Sequence, residues 1–330
     1  MSRETTILIS TMKNEGPYVL EWLAYHKSIG VDTFLIYSND CTDGTNLMLN
    51  RLHQMGVITH FDNPQGPRMD PQRSAYSRSN KEKMVREHEW ALIVDADEFV
   101  NIKVGDGTLD ALRDACGPAD AISIPWRLMG SCGEKHFDPD QLVTERFNRG
   151  STFEKPENGL VWGFKTLFRP NRFDYFGVHR PKFRDWEKVA EGDIKWVNPD
   201  GKPMPHKVLK GGWRFGKDTL GYANAQVNHY AIKSREDFLL KRLRGTANSK
   251  NKGRIDTEYF GKYDLNANFD DSIRTDGIRA ILDEWLQDAD LAALYRACLH
   301  CSRLVLDYQL QVADYAKFVE TGEFEMVTED

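Results

Sequence analysis

The sequence predicts an α/β protein, a mostly parallel central sheet flanked by helices, followed by a helical C-terminal extension. Three observations predict it. Short β-rich runs alternate with helix-patterned segments through residues 1–125; the links between them are short and marked by Gly and Pro; and the text after residue 250 becomes helical in its spacing again. Strand, helix, strand with short connections is the pattern of a parallel sheet with right-handed crossovers.

The first run, "TTILIST", is β-rich, and "NEGPYVLEWLAYHKSIG" follows it as a helix, with Asn14 as N-cap, Pro17 in the first turn and Gly30 just past the end. Val19, Leu20, Trp22, Leu23, His26 and Ile29 fall on one helical face. "DTFLIYSND" reads as a second strand, "GTNLMLNRLHQMG" as a helix stopped by Gly56, and "VITHF" as a third strand. After a Pro/Gly turn, Pro71 to His88 is polar and helix-compatible, "WALIVDAD" is the fourth strand, and "TLDALRDAC" and "DAISIPW" add a helix and a strand. Residues 126–230, rich in Gly, Pro, Trp, Phe and Arg, predict irregular β structure and long loops.

Composition narrows the function classes. The chain has 330 residues and a net charge of −6, which disfavours general nucleic-acid binding, since phosphate-dominated affinity wants an excess of Lys and Arg. It contains no apolar run of ~18 residues and no signal-peptide pattern at its N-terminus, so a cytoplasmic protein without a transmembrane segment is expected. Five scattered cysteines fit free thiols in a reducing compartment. Cys298 and Cys301 lie in a helical apolar pattern and are read as core packing, because a zinc site needs further well-spaced ligands.

In a parallel sheet, ligands bind outside the carboxyl ends of the strands. Three strands end in polar clusters, Thr11-Met12-Lys13-Asn14-Glu15, Ser38-Asn39-Asp40 and Asp95-Ala96-Asp97-Glu98, which places all three on one sheet edge. Strand alternation puts Asp95 and Asp97 on the same side. Two carboxylates so close raise each other's pKa unless a cation neutralises them, and oxygen ligands of this kind suit Mg²⁺ or Mn²⁺; solvated strand-end acids are the plain alternative. Asp43, Gly44 and Thr45 read as turn and cap, whereas Asn39 and Asp40 precede that turn and are free to face a base or ribose. Between Ile232 and Arg254 eight Lys or Arg stand against two acids, which marks either a localised anion site or a solvated helix face.

The ordered set "TMKNEGPYVLEWLAYHKSIGVDTFLIYSNDCTDGT", "WALIVDADEF", "PWRLMGSCG", "KTLFRP", "VHRPK" and "NHYAIKSREDFLLKRLRG" resembles the family 2-like and family 92-like glycosyltransferases of the GT-A fold. The resemblance covers about residues 5–250. It implies a catalytic domain over 1–250, with a nucleotide-binding half at 1–125 and an acceptor and metal half at 126–250, and leaves 251–330 as the extension. It also implies that Thr11, Lys13, Asn14, Glu15, Asn39 and Asp40 surround the nucleotide, and that Asp95 and Asp97 are the Asp-x-Asp pair holding Mn²⁺ or Mg²⁺ against the diphosphate of a UDP-sugar. His229 becomes a further metal ligand, and Lys233 a contact to the departing diphosphate. Lys241 and Arg244 fit either that role or a solvated face.

An inverting displacement needs a carboxylate base at the acceptor hydroxyl. Glu134, Asp138, Asp140, Glu145 and Glu154 follow the metal motif, and Glu134 is the preferred candidate because "GSCGE" follows a strand end; many relatives carry a histidine near this position. Trp126, Trp162 and Trp186 are candidates for stacking on sugar or for packing. The expected partners are a nucleotide-sugar and a glycan or glycolipid acceptor of polysaccharide biosynthesis, with the extension serving an oligomer, a partner or a membrane surface. Two other classes compete. Phosphotransferases and phosphatases with an aspartyl nucleophile carry Asp-x-Asp after the first strand, where this chain has "STMKNE". A non-catalytic sugar-binding scaffold would be expected to lose the metal carboxylates, and both are present.

Overall fold

A computed structural model describes residues 3–64, 69–153, 161–244 and 257–323. Residues 65–68 of the Pro/Gly turn, Glu154, the last three cations of the basic stretch and the boundary at 250/251 fall outside them.

In the first third of the chain β1 (Thr6–Met12), α1 (Val19–Ser28), β2 (Thr33–Ser38), α2 (Thr45–Gln54), β3 (Thr59–Asp62), α3 (Pro71–Ser79), α4 (Lys83–Glu87), β4 (Trp90–Ile93), β5 (Glu98–Ile102), α5 (Leu109–Cys116) and β6 (Ala121–Leu128) follow the predicted alternation except for β5, an unexpected strand directly after β4. The polar segment read as one helix is two, α3 and α4. The middle third holds α6 (Val143–Arg146), the short strands β7 (Arg149–Gly150), β9 (Tyr175–Phe176), β10 (Pro181–Lys182) and β11 (Trp196–Val197), and two longer ones, β8 (Phe164–Phe168) and β12 (Ala225–His229). The C-terminal part comprises α7 (Arg235–Arg244), α8 (Thr257–Tyr263), β13 (Asn268–Phe269), α9 (Ile278–Trp285), α10 (Ala289–Gln309) and α11 (Ala313–Thr321).

The main sheet has the order β3-β2-β1-β4-β8-β6-β12-β5, with β11 on β6. β3, β2, β1 and β4 are mutually parallel; β8 runs antiparallel between β4 and β6, and β5 antiparallel to β12. This mostly parallel sheet flanked by helices agrees with the GT-A expectation. β1 reads "TILISTM" and is buried throughout, as a strand covered on both faces must be. Its alternation sorts the core into two layers. Leu8 packs with Trp22, Leu23, Phe34 and Leu49 on one face of the sheet, while Ile7 and Ile9 pack with Leu35, Tyr37, Ile93 and Phe168 on the other.

Two consequences of the topology position the site. The parallel strands β1, β2, β4, β6 and β12 deliver their C-terminal residues to one edge, and an antiparallel neighbour begins where they end. β8 therefore brings its opening residues, Phe164 and Lys165, to the edge that β4 leaves at Ile93. α10 packs against α2 and α7, fixed by a 2.5 Å ion pair of Arg51 with Asp288, whose carboxylate also accepts from Leu291 N at the start of α10. A side chain at Gly16 would meet Cys298 Cβ at 2.6 Å, so Gly16 lets the extension press directly on the loop after β1. No helix among the described residues is long and apolar enough to cross a membrane.

Candidate functional site

β4 ends at Ile93, and Asp95 to Asp97 form the turn into β5, closed by Glu98 N donating to Asp95 O at 3.0 Å. This corrects the expected strand alternation: the two aspartates sit at the sheet edge but in a turn, and they have different neighbours. Asp95 accepts from Lys165 Nζ at 3.0 Å and from Gln72 Nε2 at 2.8 Å. Lys165 is fully buried and also lies 3.2 Å from Glu98, whose Oε2 accepts from Asp95 N. Burial opposes the charge on Lys165, yet the facing Asp95 and Glu98 hold it above the ordinary lysine range.

Asp97 faces the other way. Its Oδ2 accepts from Lys241 Nζ at 2.7 Å, and its Oδ1 is 3.6 Å from His229 Nε2. The sheet explains this approach, since His229 pairs with Glu98 across β12 and β5, and Tyr230 N donates to Asp97 O at 2.8 Å. Burial works against ionisation of Asp97, but Lys241 and His229 outweigh it and hold the carboxyl well below its usual range. His229 Nδ1 is buried with no hydrogen-bond partner among the described residues.

Beside Asp97 lies a chamber of about 170 Å³ lined by the carboxylates of Glu15, Asp43 and Asp237 and the cations of Lys233, Lys241 and Arg244, together with Asn14, Tyr18 and, from α10, Cys301, Ser302 and Val305. Lys233 is 6% exposed and makes no hydrogen bond or ion pair among the described residues; its ammonium sits 4.2 Å over the Tyr18 ring. It adopts a φ of +58°, unusual for a non-glycine residue. Burial lowers its pKa, with Glu15 and Asp97 pulling the other way. Arg244 pairs with Glu15. The open choice for Lys241 and Arg244 thus resolves toward the chamber and away from a solvated face.

Other expected residues take different places. Asn14 does not cap α1, whose N-cap is Tyr18. Instead it bridges to Thr42 through both side-chain atoms at 3.0 and 2.8 Å, tying the loops after β1 and β2 together. Thr45 opens α2, with Gly44 at its N-cap, and accepts from Glu15 N at 3.0 Å. Thr11, Lys13, Asn39 and Asp40 lie on the same edge at the ends of β1 and β2 but do not line the chamber; the Thr11 hydroxyl is buried without a partner among the described residues. Glu134 is not brought to the chamber, and its carboxylate pairs with Arg146 at 2.9 Å. Trp186 packs near His206 and Lys210. Sequence reasoning gave Lys165 no site role and did not anticipate the α10 wall.

Whether the set suits a divalent metal can be judged from its donors. Among the described residues no three His, Cys, Asp or Glu side chains form a metal-holding group. Asp97 and His229 do converge, while Asp95 is turned to Lys165. Two protein ligands suit an ion such as Mg²⁺, which keeps waters and takes phosphate oxygens for its remaining positions. Asp97 and His229 are the two protein donors that would hold such an ion, in place of the Lys241 contact to Asp97.

A buried cation in a chamber at the carboxyl ends of parallel strands, next to an Asp-His pair, lies where α/β folds commonly place their ligand sites. The sequence pattern of glycosyltransferase family 92 matches residues 9–191, more than half of the chain, and the chain belongs to this family. It is similar to a family 92 glycosyltransferase protein of Ricinus communis, 24% identical over 145 residues, 42% of this chain and 25% of that protein. It is also similar to one of Oryza sativa subsp. japonica, 29% identical over 105 residues, 31% and 17% of the two chains. The match spans a quarter or less of the length of these relatives. Among solved structures, S. aureus TarS residues 1–349 aligns over 98% of this chain and 93% of its own at 13% identity and a TM-score of 0.30. The galactosyltransferase LgtC, in complex with donor and acceptor sugar analogs, aligns over 78% of this chain and 96% of its own at 12% identity and a TM-score of 0.30.

Proposed function

We propose that this protein is a metal-dependent, inverting glycosyltransferase that moves a sugar from a UDP-sugar to a glycan or glycolipid acceptor. The observation that carries the reading is Lys233. A buried ammonium without a pairing anion is costly, and a strained φ holds it in the chamber beside Asp97, where a diphosphate supplies the missing charge. Lys241 and Arg244 add two further cations that a bound anion would share with Asp97 and Glu15. Mn²⁺ or Mg²⁺, when bound through Asp97 and His229, neutralises diphosphate charge.

In a direct displacement the acceptor oxygen forms the new bond to the anomeric carbon as the bond to the diphosphate oxygen breaks; UDP leaves, and the hydroxyl proton passes to a base. The preorganised cations act on the departing charge. Glu134 is carried as the base: Glu134→Gln is expected to abolish transfer while leaving UDP affinity intact, and normal turnover would leave it as the partner of Arg146.

The reading is tested by thermal-shift and calorimetric titration with UDP, UDP-glucose, UDP-galactose and UDP-N-acetylglucosamine, with and without Mn²⁺. Binding of UDP that strengthens with Mn²⁺ and loses that dependence in Asp97→Asn supports it, because a ligand of the folded state raises apparent stability. A flat response across the panel would sink it.

A further inference from the structure

The turn that carries Asp97 is held from outside the sheet as well as from within it. Tyr230 N donates to Asp97 O at 2.8 Å, so Asp97 and Phe99 direct their backbone groups toward β12, and Glu98 and Val100, which alternate with them, direct their carbonyls away from it. β5 is the last strand of the main sheet, and the outer carbonyls of such a strand have no ladder partner. Two side chains of α1 supply the donors. Tyr25 Oη donates to Val100 O at 2.7 Å, and Trp22 Nε1 donates to Glu98 O at 2.9 Å.

Trp22 does one thing that Tyr25 does not. Its N–H is shared, with Asp95 O as a second acceptor at 3.1 Å. Asp95 O also accepts from Glu98 N, so the indole bridges the first and last residues of the turn, and Ala96 and Asp97 lie between its two acceptors. The donor has little freedom to move. Trp22 is fully buried, and its ring packs 4.6 Å from that of His26 and 6.4 Å from that of Phe34. By helical period alone Trp22 is a core residue of α1, and the period says nothing of where its N–H points. Tyr18, one turn earlier, lines the chamber beneath the Lys233 ammonium, so the start of α1 touches both the chamber and the turn.

We propose that Trp22 is a positioning residue for metal binding: its shared N–H fixes the turn from Asp95 to Glu98 so that the Asp97 carboxylate stays opposite His229. The metal comes from the glycosyltransferase reading, and the clamp from the contacts above. Asp97 Oδ1 lies 3.6 Å from His229 Nε2, a spacing that a small rotation of the backbone at Asp97 would open. Removing a group that orients a metal ligand from behind costs roughly 10–100-fold in metal affinity. Tyr25 is the internal control, because its bond reaches β5 two residues past the turn.

The test compares Trp22→Phe with Tyr25→Phe. Each removes one side-chain donor from an outer carbonyl of β5 and keeps an aromatic ring, but only the first touches the turn. Both variants and wild type are titrated calorimetrically with UDP, with and without Mn²⁺, and their amide hydrogen exchange is measured in the metal-free protein. In Trp22→Phe, UDP affinity with Mn²⁺ is expected to fall fivefold or more while affinity without it stays within twofold of wild type, and the amides of Glu98 and Tyr230 are expected to exchange faster than in Tyr25→Phe. In Tyr25→Phe both affinities are expected within twofold of wild type. 3-Benzothienylalanine in place of Trp22 removes the N–H at nearly constant shape and is expected to reproduce the loss; if Trp22→Phe does not fold, this variant carries the comparison. Equal effects of the Trp22 and Tyr25 replacements, or an unchanged affinity with Mn²⁺ once the N–H is gone, overturn the proposal and leave Trp22 as a packing residue. If wild type binds UDP without any response to Mn²⁺, the metal reading falls; faster exchange confined to the Trp22 variants then still upholds Trp22 as the clamp of the turn, and equal exchange overturns the clamp as well.

Discussion

Asp95 and Asp97 are two residues apart, and each is met by a lysine, but the two lysines are held very differently. Lys165 issues from strand β8 in the middle of the sheet, is fully buried, and lies between Asp95 and Glu98. Lys241 reaches Asp97 from the C-terminal half of helix α7, its side chain 12% exposed, at the wall of the chamber. A cation fixed by the sheet is part of the fold; one carried on a peripheral helix beside an open chamber can give way to another positive ligand. The Asp95 side is the built-in half of the motif and the Asp97 side the exchangeable half.

The largest expected effect tests the fixed side. Lys165→Met leaves Glu98 and Asp95 facing an apolar side chain, and removing one partner of a buried ion pair costs roughly 3–5 kcal/mol. Lys241→Met is expected to cost at least about 2 kcal/mol less, because Asp97 keeps His229 nearby, whereas Lys165→Met leaves the fully buried Glu98 without its cation. Urea denaturation of the two variants measures the gap, and equal losses would erase the distinction.

On the exchangeable side the effect is on binding. With Mn²⁺ present, Asp97→Asn is expected to weaken UDP by tenfold or more and to abolish its Mn²⁺ dependence, while Asp95→Asn keeps that dependence. Titration calorimetry reads both, and a metal dependence lost equally in the two variants would return Asp95 to the ligand set. Lys233→Met carries the sharper sign. Hydrogen bonds to charged groups contribute about 1.5–3 kcal/mol, so UDP affinity should fall by more than tenfold, yet thermal stability should hold or rise, because the substitution removes an unpaired buried charge. A large drop in melting temperature would make Lys233 a structural residue.

The same contrast explains how much is legible in the sequence. The loops after β1, β2 and β4 lie where the sequence puts them because the helix and strand periods of residues 5–126 are local signals, and a parallel sheet turns them directly into one edge. The Asp-x-Asp pair falls at that edge although its strand stops at Ile93 and the expected alternation does not apply. The role of Lys165 is not legible in the sequence for a physical reason, although the segment it opens is part of the family resemblance. "FKTLF" is a five-residue strand in irregular text, and only its antiparallel pairing with β4 and β6 carries its first residues to the ligand edge. His179 and Trp213 come from separate loops whose rings stack directly, a long-range contact that local periods do not carry. The α10 wall leaves a trace in Gly16, but nothing near Cys298 says which glycine it covers.

A further expected effect concerns pH. His26 lies under β5, its ring stacked on Phe99 at 5.8 Å and its Nε2 without a partner among the described residues. Burial lowers its pKa to about 3, against 6.5 for the free side chain. His60, buried between Ser38 and Asn50, is lowered by burial to about 4. In each case the unfolded chain takes up a proton that the folded one refuses, so both contributions to stability are fully present above about pH 6.5 and are lost as pH falls toward the folded values. The slope is about 1.4 kcal/mol per pH unit for each histidine. Unfolding free energies from urea titrations between pH 7 and 5 should therefore decline, and His26→Phe should remove about one proton from that slope. An unchanged slope would mean that His26 is protonated in the folded protein, and that the layer beneath Glu98 already admits a charge.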